Sequence, residues 1–361
     1  MKMLGQQGPD AWKETSRQLA HNVIQGEGGD ANPDPTLRQR FETVSPIVLR
    51  RIEMTLGITH PVSVISRNQL AELGLKNWQP LLATALRPPS SEALRELGGD
   101  EMAPFMSELA KTIGPLFMGF QSGSAAGHFA LTAWSLSELP LPRGTSDCAL
   151  AVDNVGRFAS EWSVDLDHAL AYAAAHESLG GYICSQPGTA LALEALLFDA
   201  VNDASAAQGD IMRRLTDMFQ GGAMDEFVNH PERLANQLGD VSETPATARL
   251  DSAICVVRAA IDEMATSATA EVVGPVTQLT EARRRHHLDG NNGVMSAAAM
   301  FGVTLSGERM DAARRFVESV VTSEGHFTLL ALTQADGLPL PDELHDAPSW
   351  CERVRTSPFA N

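Results

Sequence analysis

Apolar residues return at helical spacing in segment after segment of this chain, and where the pattern stops, proline or glycine stops it. Residues 10–24 read as a short amphipathic helix, ended by the breaker-rich stretch 25–35, which reads as a flexible loop. Residues 36–58 set Phe41, Val44, Ile47, Val48, Ile52 and Leu56 on one side. Helical patterns return at 78–86, 92–97, 165–183, 188–202, 209–219, 249–272, 294–301 and 307–322. Between 102 and 139 lies a long apolar segment rich in Gly, Ala and Ser, suited to close helix contacts, and Pro140-Leu141-Pro142-Arg143-Gly144 breaks it. Strand signals are few: Val62–Ser66 alternates and Ala149–Val152 is a short apolar run, so two to four short strands are expected, all in the first half. No βαβ alternation and no fixed-period repeat occur, which excludes Rossmann and solenoid architectures. The expected fold is mostly α, or α+β with a small sheet. Gly221, Gly222, Pro231 and Pro245 suggest a division. The expected organisation is 1–40 as helix and loop, 41–220 as a first lobe, and 221–361 as a C-terminal helical lobe completing the site.

With 361 residues, 43% of them apolar, the chain can bury a large core. Its 27 Lys plus Arg stand against 45 Asp plus Glu, a formal charge of -18 that disfavours nucleic acid and anionic membrane surfaces as partners. No apolar run reaches the roughly 20 residues that span a bilayer, and the first ten residues carry no apolar signal-peptide core. Cys148, Cys184, Cys255 and Cys351 are widely spaced, as reduced thiols are. A soluble, cytoplasmic protein is expected.

The chemistry concentrates at Tyr172-Ala173-Ala174-Ala175-His176-Glu177-Ser178-Leu179-Gly180-Gly181-Tyr182. His176-Glu177 matches half of His-Glu-x-x-His, in which two imidazoles one helical turn apart hold zinc and the glutamate polarises its water. Gly180 stands at the second histidine position. Further segments extend the likeness. Arg17-Gln18-Leu19-Ala20 follows a helical lead-in, and Val64-Ile65-Ser66-Arg67 precedes Leu75-Lys76-Asn77-Trp78-Gln79-Pro80-Leu81-Leu82. Val152-Asp153-Asn154 ends 22 residues before His176. Glu263 precedes Val272-Val273-Gly274-Pro275, Glu281-Ala282-Arg283-Arg284-Arg285 and Ala313-Arg314-Arg315-Phe316-Val317. On these segments the chain resembles an actinobacterial family of zinc-metalloprotease-like proteins whose naming links it to deazaflavin-cofactor biosynthesis. The resemblance implies a zincin-like helical scaffold. It also implies that Glu263 stands where the family carries a third metal ligand, although Met264, Ala265 and Ala268 replace the surrounding pattern.

Catalytic zinc needs about three protein ligands and a water. The loss at Gly180 therefore predicts no cofactor, with zinc the alternative if His128, His168 or His60 joins His176 and Glu263. Without metal, His176, Glu177 and Glu263 are expected to converge in the former metal cavity. Their carboxylates would either titrate high or pair with His176, and one would act as general base. The broken motif resembles subunits associated with azabicycle antibiotics, which close aziridine rings by expelling sulfate from an amino-sulfate ester. That resemblance implies natural-product (antibiotic) biosynthesis, with Glu177 or Glu263 as base and His176 and His128 as donors to the leaving group. It also implies a small-molecule or carrier-protein-bound amino substrate and a heteromeric partner subunit. Two other readings stay open: a zinc-dependent metallohydrolase or peptidase, and a non-catalytic pseudo-protease subunit that stabilises a partner.

Other candidates have plainer readings beside the functional ones. The run Phe117–His128 is either an anion cradle or a close-packed helix, and it lacks a P-loop lysine. His60, before Pro61, reads as a loop histidine or a pocket-rim acid or base. Arg283-Arg284-Arg285-His286-His287 reads as a solvated helix end or a docking site for an acidic partner. Asp165 and Asp167 suit a helix start, and Cys184 suits a core position.

Overall fold

The computed structural model describes residues 11–27, 29, 32–58, 60–85, 118–220, 244–288 and 293–357. The helix expected at 92–97, the first part of the 102–139 segment and most of the proposed lobe division lie outside these residues. In chain order the elements are α1 (Ala11–Gly26), α2 (Pro35–Leu56), β1 (Val62–Val64), α3 (Arg67–Ala85) and α4 (118–132). A 3-10 turn (Leu136–Glu138) leads to β2 (Cys148–Leu150), α5 (Val152–Glu161), α6 (Leu166–Ser185) and α7 (Pro187–Gln220). Then come α8 (Pro245–Val273), α9 (Thr277–Leu288), α10 (Gly293–Ala299) and α11 (Gly307–Glu324), followed by 3-10 segments His326–Thr333 and Pro341–His345 and by α12 (Ala347–Thr356). The mostly helical expectation holds. The predicted break between 202 and 209 does not occur, because α7 runs through it. Among the described residues there are two strands, paired in parallel with Val62 opposite Cys148 and Val64 opposite Leu150. None of the described helices is long and apolar enough to cross a membrane.

The helix starts follow local chemistry. Asp34 accepts hydrogen bonds from the Thr36 and Leu37 amides at the start of α2 (2.7 and 3.3 Å). Thr244 and Thr247 cap α8 reciprocally. Asp165 caps α6 by accepting from the His168 N–H at 3.0 Å, and Asp167 forms a two-bonded pair with Arg40 on α2, so neither residue needs a catalytic role.

Helix α6 lies at the centre. It is buried around its whole circumference, Ala169 to Gly181 without exception, with His176, Glu177 and Ser178 the polar residues among them. It packs against α2, α5, α7 and α8, and its alanines allow those close approaches. The glycine-rich run of α4 is a packing device. A Cβ on Gly123 would stand 2.5 Å from the Ser16 carbonyl oxygen, and Gly119 and Gly127 meet α1 on the same stripe. Ser122 and Ser16 complete this contact with a hydroxyl pair at 2.8 Å. The close-packed reading of Phe117–His128 therefore accounts for its described part. Two sequence segments also meet here: Arg67 donates to Asn154 Oδ1 at 2.9 Å, while the Asn154 amide donates to the Ala130 and Ala133 carbonyls.

Candidate functional site

Neighbouring residues on a helix point about 100° apart, so His176 and Glu177 leave α6 in different directions. Glu177 faces the 3-10 turn and β2. Its Oε2 accepts from Ser137 Oγ (2.6 Å), the Ser137 amide (3.2 Å) and Arg143 Nη2 (3.2 Å). Its Oε1 accepts from Arg143 Nη1 (2.8 Å) and the Ala149 amide (3.3 Å). The Arg143 and Glu177 side chains are 3% and 0% exposed, so this is a closed ion pair. Burial pushes the Glu177 carboxyl up, but the Arg143 guanidinium and the bonds from Arg143 and Ser137 outweigh it and hold the group below its ordinary range. The expectation of a raised carboxyl or a pairing with His176 is thus corrected for Glu177. The space for a second imidazole is also filled. A Cβ on Gly180 would sit 2.1 Å from Ser137 Oγ and 2.5 Å from Ser137 Cβ.

His176 faces the opposite cluster. Its ring stacks on Tyr172 at 5.7 Å, and its Nε2 lies 3.2 Å from Asp262 Oδ1 of α8. That nitrogen is buried and makes no aligned hydrogen bond. Tyr172 donates its phenolic proton to the same Asp262 oxygen at 2.7 Å. Arg283 of α9 lies over the Trp134 and Tyr172 rings (4.2 and 5.0 Å) and reaches Asp262 at 3.8 Å. Its other contact is Glu138, which it meets at 3.1 and 3.3 Å, while Arg258 Nη2 donates to Glu138 at 3.1 Å and to His287. His287 Nε2 also lies 3.4 Å from Glu138.

Two carboxylates and two guanidiniums therefore balance one another in this cluster. Burial raises Glu138, but Arg283, His287 and Arg258 overcome it and hold the group well below the usual carboxylate range. For Asp262 the burial effect is likewise reversed, first by His176 and then by Arg283 and Arg258. Burial, helped by Arg258, drives His287 well below the ordinary imidazole value. Burial and the neighbouring Asp262 raise Tyr172. The cluster reaches solvent at Asp262, whose side chain is 28% exposed, whereas His176 is 1% exposed.

The remaining predicted residues stand apart. Glu263 does not converge on His176. One position beyond Asp262, it turns away and pairs with His326 at 3.0 Å, with both side chains more than a third exposed. His128 is exposed on α4 and enters none of these contacts. His60 lies edge-on to Tyr182 at 5.6 Å, its carbonyl accepting from Ser178 Oγ. His168 sits in the first turn of α6, on the Asp165 cap. The basic run is not one solvated end. Arg283 and His287, one turn apart, face inward, while Arg284 and Arg285 are exposed. Burial pushes the Cys148 and Cys184 thiols up to about 12, which suits core residues and not nucleophiles. Sequence reasoning missed Arg143, Glu138, Arg258 and Asp262. Only the spacing of Arg258 and Asp262, one turn apart on an apolar helix, offered a signal.

Zinc does not fit the described residues around His176. Among the described residues, no three His, Cys, Asp or Glu side chains are grouped to hold an ion. His176 has only Asp262 beside it, and Arg283 and Arg258 already supply the positive charge there.

A family model described as zincin-like metallopeptidase matches residues 11–351. Among solved structures, a protein of novel fold from Chloroflexus aurantiacus, provisionally named a hydrolase, superposes with a TM-score of 0.56 over 95% of this chain and 98% of its own. The two are 14% identical, so that likeness concerns the fold alone. No curated protein matches significantly.

Proposed function

Since this chain belongs to the zincin-like metallopeptidase family and shows no donor set suited to zinc among its described residues, we propose that it is a metal-independent acid–base enzyme. One observation carries the reading: a buried His176 Nε2 without an aligned hydrogen bond lies against the solvent-open carboxylate of Asp262. Catalytic hydrogen bonds are often loose before substrate arrives. Asp262 meets the substrate, and His176, whose Nε2 lies 3.2 Å from it, takes up the proton there. The Tyr172 hydroxyl and Arg283 keep Asp262 ionised and in place.

The reaction that best suits the reading is closure of an aziridine ring in bacterial specialised metabolism. A substrate amine attacks the neighbouring carbon, forming an N–C bond as the C–O bond to sulfate breaks. Sulfate leaves with that electron pair, and the amine proton passes to Asp262 and His176. Alignment of amine and leaving group supplies much of the rate. Glu177, locked by Arg143, serves the scaffold in this reading, and Glu263 and His128 take no part in proton transfer.

Sulfate release from an amino-sulfate ester tests the reading. Asp262→Asn and His176→Ala are expected to lower turnover about 10²- to 10⁴-fold, with no loss on chelator treatment. Full turnover in both variants, or stoichiometric zinc bound through His176, overturns it. A second reading, a non-catalytic subunit that stabilises a partner, draws on the exposed Ile47 and Met54, two turns apart on α2. Activity surviving His176→Ala together with a co-purifying second chain favours that one.

A further inference from the structure

Behind the His176 cluster, Arg258 and His287 also line a second space. This recess of about 70 Å³ lies among α8, α9, α10 and α11. It is several times the roughly 10–15 Å³ that one water requires, and suits a tetrahedral group better than a nucleotide. Its lining includes Arg258, Arg284 and Arg314 together with one acidic residue, Asp311.

The cations are not fully matched within the fold. Arg258 is 2% exposed and gives its Nη2 to Glu138, yet its buried Nε has no hydrogen-bond partner. A native fold rarely leaves such a donor unmet. Arg284 lies 3.8 Å from Glu281 and 3.9 Å from Asp311, beyond hydrogen-bond distance. Arg314 is held at 2.6 Å from Asp311. The wall also includes Gly307, the first residue of α11, where the helix presents its positive end.

The geometry points to this recess as a binding site for a tetrahedral oxyanion, a sulfate or phosphate group, free or carried as an ester. Guanidinium forks match such oxygens two at a time. Joined to the acid–base reading, on which this second step rests, the recess receives the sulfate end of the substrate while Asp262 and His176 handle the amine. Arg258 links the two, because it touches Glu138 of the cluster and lines the recess.

Calorimetric titration of the full chain with inorganic sulfate, inorganic phosphate, an alkyl sulfate ester and an alkyl phosphate ester tests the site. Saturable binding of at least one is expected, and the preferred arm identifies the source. Arg284→Gln and Arg314→Gln are each expected to weaken it about tenfold. Arg285→Gln, on the same helix but off the recess, leaves it unchanged. Absence of saturable binding in all four arms, or equal affinity in Arg284→Gln and Arg314→Gln, overturns the proposal. Circular dichroism of each variant separates lost binding from lost folding. The readout needs no turnover. Binding with undiminished turnover in Asp262→Asn and His176→Ala would leave the recess standing and sink the acid–base reading. Failed binding with turnover lost in those variants would do the reverse.

Discussion

On one side of α6, Glu177 accepts five hydrogen bonds from Ser137, Arg143 and Ala149 and is sealed from solvent. On the other, His176 rests against an Asp262 that solvent reaches, without one aligned hydrogen bond at Nε2. Both sides hold a carboxylate below its ordinary range, and both use arginine to do so. They differ in closure. A fully satisfied buried network fixes structure, whereas a partly satisfied one at a solvent edge keeps a group able to change partner. The two residues of the zincin dipeptide have been sent to opposite duties by one step of helical rotation.

The largest effect that separates the two sides is expected at Arg143. Arg143→Met leaves the Glu177 charge buried without its counter-charge, which costs about 3–5 kcal/mol, read as a shift of the urea midpoint. Adding Glu177→Leu restores most of it, since an apolar pair can replace a buried ion pair. Asp262→Asn, at the open edge, is expected to cost less than about 1.5 kcal/mol, one modest hydrogen bond's worth. Equal losses at Arg143 and Asp262 would dissolve the distinction.

Next in size is Gly180. Gly180→Ala forces its methyl group into Ser137, and overpacking of this kind costs about 1–3 kcal/mol. Ser137→Gly removes the clash and also removes a donor to Glu177, so the double variant stays destabilised. Gly180→His, which rebuilds the written motif, is expected to bind no zinc in equilibrium dialysis, because the imidazole has no room. Stoichiometric zinc there would show that the metal cavity survives.

What could be read from the sequence divides along similar lines. Periodicity and breakers located most of the described helices, and the cap at Asp165 followed from residue type, whereas the cap at Asp34 lay in a stretch read as loop. His176 was found because a motif names it. Its partner was missed because the family pattern pointed to Glu263, and one residue along α8 decides which carboxylate faces inward. Arg143 sits in a proline-rich loop and Glu138 in a short 3-10 turn, where no periodicity marks a buried charge. Arg283 was hidden in a basic run whose composition suggests solvent, although the pair one turn apart turns inward. Tertiary pairing of charges leaves little trace in local sequence.

Acid sharpens the comparison further. Glu177, Glu138 and Asp262 have depressed folded values, so below the unfolded values of about 4 the unfolded chain binds more protons. The stability they contribute is present above that pH and lost as pH falls through their folded values. His287 is depressed as well, held neutral by burial, and its contribution starts to fall earlier, below the unfolded imidazole value of about 6.5. The slope cannot exceed about 1.4 kcal/mol per pH unit for one proton. Denaturation between pH 7 and 5 should therefore lose stability in the native chain and less in His287→Gln. Glu177→Gln should alter the slope only below about pH 4.5. An unchanged pH 7 to 5 slope in His287→Gln would remove the imidazole from the account.

The smallest effect is expected where the family resemblance places a metal ligand. Glu263 and His326 form a hydrogen-bonded pair with 39% and 35% of their side chains exposed. Water screens such a pair and competes for both partners, so its removal costs between 0 and about 1 kcal/mol. Glu263→Gln and His326→Ala should each lie within that range and leave sulfate release unaltered. Asp262→Asn, one position away on the same helix, should abolish most of that release while costing little more in stability. The contrast isolates register as the cause, because both variants remove one negative charge from the same turn of α8. If Glu263→Gln proved as damaging to turnover as Asp262→Asn, the inward carboxylate would have no special standing, and the site would have to extend across the helix toward His326.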